Sequence, residues 1–269
     1  MKNREKLKLI ANNPMKYFIT AVFKMQCVIF KKKVIFVNSF PKSGSSYVTR
    51  VLEEISGFKT HRVVTRFGRN EQDIYLPAII DAYKSNFITQ QHTRATKANI
   101  DILNGYKVKP IILVRDIFDI VVSLRDYMLD NPEIFLGYVT EEYINMKESK
   151  QYDFVIDLLI PWYFNFYVSW IEAEKLNKIE FIWCRYEDML NDKNKFFKRI
   201  IKYLEITPLK SFESVVYSKN DKKDKVNKAV AGRGQKKLSI EQMEKIFKYA
   251  SYYSSIDFGR IGINTSVVT

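Results

Sequence analysis

Four short apolar runs constrain this chain more than any other feature. "KVIFVNSF" (33–40), "NFITQQ" (86–91), "KPIILVRD" (109–116) and "IEFIWCRY" (179–186) are rich in β-branched and aromatic residues and are apolar on both faces. A strand that hides both faces needs cover on both sides, so the runs predict a central parallel β-sheet flanked by helices. Helical patterns fall between and after them, at 45–56, 74–84, 95–104, 118–130, 152–176, 188–204 and 239–250. With 269 residues, 46% of them hydrophobic, the chain can bury one sizeable core. No repeat or Pro/Gly-rich linker divides it, so 1–269 reads as a single α/β domain.

Two segments differ from that body. Residues 1–32 read as a basic amphipathic helix packed on the domain, with peripheral attachment to an anionic membrane as the alternative. The apolar part is interrupted by Lys24 and Gln26 and no small-residue cleavage site follows, which argues against a signal sequence. No other segment reads as a membrane span. Residues 217–239, rich in Lys and Asp and poor in large apolar groups, read as a mobile basic loop, long enough for a lid.

Lys and Arg total 44 against 30 Asp and Glu, a net charge of +14. That sign favours an anionic partner: a nucleotide, nucleic acid, an acidic polymer or a membrane face. Cys27 and Cys184 offer neither a disulfide framework nor metal-ligand spacing and fit a reducing, cytoplasmic setting. With His61 and His92 the only histidines, no metal site is expected.

The first strand ends in "FPKSGSSYVTRVLEEI", a small polar turn opening directly into a helix. Unpaired N–H groups at a helix N-terminus bind anions, glycine admits close approach, and Lys42 adds a point charge. A Ser/Gly turn can also do no more than cap its helix. It is not a Walker A sequence, because the lysine precedes the glycine, and this disfavours a kinase. In "KPIILVRDIFDIVVSLRDY", Arg115 follows a strand and Ser123 lies on the helix after it. Successive strand ends of a parallel sheet meet at one edge, so the pair can grip a second phosphate there. The alternative is that Arg115 pairs with Asp116 or Asp119.

Together these stretches resemble the sulfotransferase family that uses 3'-phosphoadenosine 5'-phosphosulfate (PAPS). "FPKSGSSY" is similar to its 5'-phosphosulfate loop, "VRDIFDIVVS" to its 3'-phosphate motif, and "WYFNFYVSWIEAEKLNKIEFIWCRYEDML" to its later Ser-Trp and Tyr-Glu-Asp-Met segment. The resemblance spans roughly 33 to 260 and implies a P-loop-like sulfotransferase fold. It implies that Lys42 contacts the bridging oxygen and the 5'-phosphate, with Ser43, Gly44, Ser45 and Ser46 donating to the phosphosulfate. Arg115 and Ser123 would hold the 3'-phosphate, Tyr47 would stand in for an adenine-stacking tryptophan, and Tyr186 would contact adenine. Without the family, Tyr186 is equally well a core aromatic at a strand end.

Sulfuryl transfer to an alcohol needs a base at the hydroxyl and positive charge on the leaving phosphate. His92, just after a strand in "ITQQHTR", matches the family's histidine and becomes the expected general base, with Lys42 and Ser123 completing the catalytic set. His61 fits no motif and reads as a surface or packing residue. The family pattern fails in three places. Its lysine two positions before the histidine is Gln90, with Arg94 as a substitute contact. The proline of the 3'-phosphate motif is Ile117 or Phe118. The C-terminal nucleotide loop survives only as "AGRGQKKLS", where Arg233 and Gly234 are the best matches.

The expectation is a cytoplasmic sulfotransferase with PAPS as donor, 3',5'-adenosine bisphosphate (PAP) as product and no metal. Its acceptor would be a carbohydrate hydroxyl, with an acidic or lipid-linked glycan as the expected carrier. A small phenol or alcohol is the alternative acceptor. Tyr75, Phe87, Trp162 and Phe166 could line an acceptor pocket, although aromatic residues on helices are usually core. A basic nucleic-acid-binding module is the more distant alternative; no recognition motif supports it.

Overall fold

The computed structural model describes residues 32–65, 73–131, 133–134, 137–217 and 230–264, with isolated positions between 11 and 29. β1 (Val34–Ser39) runs into α1 (Ser45–Ser56), followed by β2 (Lys59–Thr60), α2 (Leu76–Ala82), β3 (Phe87–Gln91), α3 (Lys97–Gly105), β4 (Ile111–Val114) and α4 (Ile117–Asp130). A small antiparallel pair, β5 (Glu133–Ile134) and β6 (Gly137–Tyr138), leads to α5 (Glu141–Asn145), α6 (Glu148–Leu158) and α7 (Ile160–Lys175). Then come β7 (Ile182–Arg185), α8 (Tyr186–Asn191), α9 (Lys193–Tyr203), α10 (Phe212–Val216), α11 (Gly234–Lys237) and α12 (Ile240–Ser251).

The main sheet has the order β2-β3-β1-β4-β7, and each neighbouring pair is parallel. Pleating divides its side chains between two cores. Phe36, Ile112 and Val114 face the core built with α4 and α7, whereas Ile35, Val37, Ile111 and Leu113 face the one built with α1 and α9. The chain leaves β1 toward the β2 and β3 side and leaves β4 toward β7. The carboxyl ends of β1 and β4 therefore flank the crevice where ligands bind in such sheets. Lys42 and Arg115 follow these two strands.

The predicted strands are all present, each slightly shorter than its apolar run. Two predicted helices are divided. The 152–176 pattern is α6 and α7, separated at Leu159, with Pro161 in the first turn of α7 where its missing N–H costs nothing. The 188–204 pattern is α8 and α9, separated by Asp192, whose carboxylate accepts the Lys195 N–H and caps α9. β2, α5, α10 and α11 are too short for periodicity to reveal.

Contrary to the sequence expectation, the run 148–175 is long and apolar enough to cross a membrane by length and composition. It is core here: 56% of its most apolar window is buried, and Tyr163, Phe164, Phe166, Tyr167 and Trp170 are enclosed. In the N-terminal segment, positions 11, 14, 15, 17, 18, 21, 25 and 29 are helical. Met15, Phe18, Met25 and Ile29 are exposed rather than packed on the domain. The rest of 1–31, Cys27 included, lies outside the described residues.

Candidate active site

The turn after β1 is built by tying its carbonyls inward. The Ser43 hydroxyl donates to the Phe40 carbonyl at 2.6 Å, the Tyr163 hydroxyl to Pro41 at 3.2 Å, and the Arg115 guanidinium to Lys42 at 3.1 Å. Lys42 adopts φ 66° and Gly44 φ 82°, so the chain turns twice through the left-handed region. For lysine that conformation costs on the order of 1 kcal/mol, the kind of local strain that folds keep at functional sites. The N-cap of α1 is Gly44, which has no side chain with which to cap the helix. Gly44 lies under Tyr186; a Cβ there would come within 3.0 Å of the Tyr186 ring.

Arg115 is buried beside this turn. It bonds Lys42 O with one nitrogen and, with the other, Val230 O at 3.1 Å and the Asp119 carboxylate at 3.5 Å. Its guanidinium lies 4.3 Å from the Tyr186 ring centroid, a cation–π contact. The ion-pair alternative with Asp119 is thus realised, yet it does not saturate the group: the buried Arg115 Nε has no hydrogen-bond partner. A buried donor without an acceptor is costly, and an anion entering the crevice would satisfy it. The Lys42 ammonium sits 3.9 Å from the Tyr127 ring centroid on α4, on the Arg115 side of the turn. Ser123 is buried one turn beyond Asp119 on the same helix.

Asp119 organises more than Arg115. Its carboxylate accepts the Gly232 N–H at 2.9 Å and the Gly234 N–H at 2.7 Å, bringing the segment before α11 onto the start of α4. Arg233 reaches Asp126 on α4 at 2.6 Å. Gly234 packs so closely that a Cβ would stand 2.3 Å from the Phe118 carbonyl carbon. Composition reads 217–239 as a mobile loop, but residues 230–238 are docked by these contacts; 218–229 lie outside the described residues. The loop brings Val230 O to Arg115, while the Arg233 side chain is spent on α4.

His92 follows β3 and is locked to β1. Asn38 accepts the Thr93 N–H at 2.7 Å and donates to the Thr93 carbonyl at 2.8 Å, and Trp170 donates to that carbonyl at 3.0 Å. His92 Nδ1 lies 2.7 Å from the Ser39 carbonyl. A carbonyl only accepts, so Nδ1 carries the proton and Nε2 keeps its lone pair. Burial pushes the imidazole pKa down to about 4, against the opposing pull of the Ser39 bond. The ring is therefore neutral at physiological pH, as a proton acceptor must be. Beside it a cavity of about 290 Å³ is lined by Thr60, His61, Arg62, Gln90, Gln91 and His92.

The structure thus brings Lys42, Ser43, Gly44, Ser45, Ser46, Arg115, Ser123 and Tyr186 to one end of β1 and β4, with His92 adjoining. Tyr47 points elsewhere: its hydroxyl donates to Val216 O at 2.6 Å and its ring packs on Phe197. Phe87 and Phe166 are fully buried in the core, and none of the four proposed pocket aromatics lines the cavity. Gln90 donates to Ser45 Oγ at 2.9 Å, linking the strand before His92 to the turn after β1. Sequence reasoning passed over Tyr127 and Asn38, and weighed Asp119 only as an ion-pair partner of Arg115, not as the anchor of Gly232 and Gly234.

A parallel sheet with a glycine-containing anion turn after one strand and a buried arginine after its neighbour defines a group-transfer protein of the phosphate-binding α/β class. The sulfotransferase domain model matches residues 32–250, and the chain belongs to that family. Among solved structures, mouse sulfotransferase SULT7A1 complexed with PAP superposes with a TM-score of 0.63 at 18% identity, covering 85% of this chain and 86% of that one. Retinol dehydratase in complex with retinol and PAP superposes with a TM-score of 0.50 at 14% identity, covering 81% and 80%. A search of curated protein sequences finds no match.

Two measurements check this site. In a proton NMR titration, the His92 ring resonances should stay those of the neutral Nδ1–H tautomer from pH 8 down to about 5.5, because its pKa is depressed to about 4; a midpoint near 6.5 would contradict the geometry. In Asp119→Ala, the Gly232 and Gly234 amides should exchange with solvent at least about tenfold faster while β1 amides keep their protection. Unchanged exchange at both glycines would show that the loop is held by something else.

Proposed function

We propose that the protein moves a sulfuryl group from PAPS to a carbohydrate hydroxyl, with His92 as general base. The observation that carries this reading is the pairing of the Lys42 turn with a buried Arg115 whose Nε has no partner, at the ends of adjacent strands. Two separated phosphate positions are what an adenosine bisphosphate presents. The N–H groups of residues 44–46 and Lys42 would hold the 5' end, the Ser43 N–H being bonded to Phe40 O at 3.3 Å. Arg115 and Ser123 would hold the 3'-phosphate, and Tyr186, over Gly44, lies where it would meet the adenine. Bound PAPS supplies the sulfuryl group, whose bond to the 5'-phosphate oxygen breaks as the acceptor oxygen bonds to sulfur. His92 Nε2 takes the proton that the hydroxyl loses, and Lys42 offsets charge growing on the phosphate. No step calls for a metal.

The acceptor side favours a sugar over a phenol. The six residues around the cavity are polar, and no aromatic ring other than imidazole is among them. The N-terminal segment suggests where such an acceptor is met. Met15, Phe18, Met25 and Ile29 follow one helical stripe and are 57–68% exposed, while residues 1–33 carry nine Lys or Arg against one Glu. An apolar stripe flanked by positive charge suits the anionic inner face of a membrane, and a lipid-linked glycan would be within reach there. The buried free thiol of Cys184 fits that cytoplasmic side.

Calorimetric titration with PAP, without added metal, tests the donor site. Tight binding is expected, with ATP and ADP weak; Lys42→Ala should weaken PAP by at least about tenfold, the loss of one charge-assisted contact. His92→Ala should keep PAP affinity and lose transfer from PAPS by roughly 10²–10⁴-fold. Transfer surviving in that variant would remove His92 from the mechanism.

A further inference from the structure

The residues assigned to chemistry lie at the carboxyl end of the sheet. The opposite end is defined by register: Val34 of β1 stands level with Phe87 of β3, and Phe87 with Lys59 of β2. Each of α1, α2, α3 and α7 leads into a strand of the sheet, so all four helices finish at this amino end. Lys33 ties the end of α9 to it, its ammonium donating to the Glu205 carbonyl just past that helix. The N-terminal segment enters here as well. The Lys33 N–H donates to the Asn86 side chain at 2.9 Å and the Tyr83 hydroxyl to the Lys32 carbonyl at 3.0 Å, which fixes the chain immediately before β1.

Lysines gather at this end beyond what its carboxylates match. Asp81 is engaged by Lys84, Glu172 by Lys175, Glu180 by Lys109 and Glu54 by Arg50. Glu205 and Glu53 remain, Glu53 accepting the Thr60 hydroxyl. Against them stand Lys59, Lys107, Lys178, Lys202 and Lys210, all exposed and none in an ion pair among the described residues. Lys210 belongs here because the Leu209 N–H donates to Ile55 O at 2.7 Å, in the last turn of α1. A lysine near a helix C-terminus is favourable in itself, which accounts for Lys202 taken singly. It does not account for Leu176 and Leu209, exposed among these lysines. Nor does it explain why the segment that enters here exposes Met15, Phe18, Met25 and Ile29 and carries nine Lys or Arg against one Glu.

We propose that the amino end of the sheet is the face on which this protein docks to an anionic lipid bilayer, continuous with the apolar stripe of the N-terminal segment. Each lysine held near an anionic surface strengthens attachment several-fold, and exposed leucines enter the headgroup boundary. A soluble polyanion would gain from the lysines alone; the leucines and the stripe favour a bilayer. The consequence for the acceptor rests on the sulfotransferase reading above. β1 has six residues and spans roughly 20 Å at about 3.3 Å per residue. Lys42 and His92 follow the far ends of β1 and β3, so they stand at least that distance from the headgroups. A sugar next to the lipid would not reach them, whereas a distal sugar of a lipid-linked glycan would.

The test sediments the full chain with vesicles of phosphatidylcholine alone and of phosphatidylcholine with phosphatidylglycerol. Attachment is expected to the anionic vesicles only. Lys107→Glu/Lys178→Glu should weaken it at least about tenfold, since two charges reverse at the surface. The control is Lys147→Glu/Lys236→Glu, beside α11, which the Lys237–Glu148 and Asp119–Gly234 bonds hold at the carboxyl end; it should change attachment by less than about twofold. On anionic vesicles, amides in 104–109 and 174–180 should exchange at least about threefold more slowly while 42–46 keep their rate. PAP titration checks the folding of each variant. Equal attachment of both double variants, or slowing at 42–46 instead of 104–109, overturns the face. Heparin binding that falls with Lys107→Glu/Lys178→Glu, without vesicle attachment, overturns the bilayer in favour of a soluble polyanion. Absent PAP binding with vesicle attachment intact overturns the donor reading and leaves the docking face standing.

Discussion

Arg115 holds a full positive charge below the surface, at the end of a strand and beside the turn that follows the neighbouring strand. A buried guanidinium is tolerated only where its charge is opposed and its donors find acceptors. Much of this end of the molecule answers that demand. Asp119 supplies the opposing charge from the first turn of α4; the turn after β1 presents the Lys42 carbonyl; the segment before α11 presents the Val230 carbonyl; Tyr186 covers the face. Four segments distant in sequence thereby converge on one side chain. The arrangement stops one acceptor short at Nε, and this shortfall is what gives an incoming anion something to gain.

The two halves of the proposed chemistry are electrically different. On the β4 side, Lys42 and Arg115 meet negative charge. On the β3 side, His92 is kept neutral by burial and held in one tautomer by the Ser39 carbonyl, so that it does not compete for the nucleotide as a cation. Asn38 contributes from the middle of the sheet, because its side chain bonds both backbone groups of Thr93 and so fixes the residue after His92.

How much of this the sequence reveals depends on how local each cause is. Continuous apolar strands and the turn "FPKSGSSY" are local signals, and the sheet, its flanking helices and α1 are read from them with nearly the right limits. Pro161 and Asp192 divide two helices because a capping residue or a missing N–H acts over one turn, below the resolution of a periodic pattern. The docking of 230–238 was illegible: its lysines and glycines resemble a solvated loop, and only the Asp119 carboxylate, over a hundred residues away, makes those glycine N–H groups an anchor. Tyr47 shows the opposite error, in which a position inferred from a motif is taken by core packing against Phe197. The cavity at Thr60, Arg62 and His92 joins segments that no pattern links, so its charge became visible only once β2 was placed beside β3.

The most direct measurement is a crystal structure of the protein with PAP. The account predicts the 5'-phosphate on the N–H groups of residues 44–46 with Lys42 turned to it, and the 3'-phosphate within hydrogen-bond distance of Arg115 Nε and Ser123 Oγ. A nucleotide bound elsewhere, or a 3'-phosphate that leaves Arg115 Nε without a partner, would contradict it.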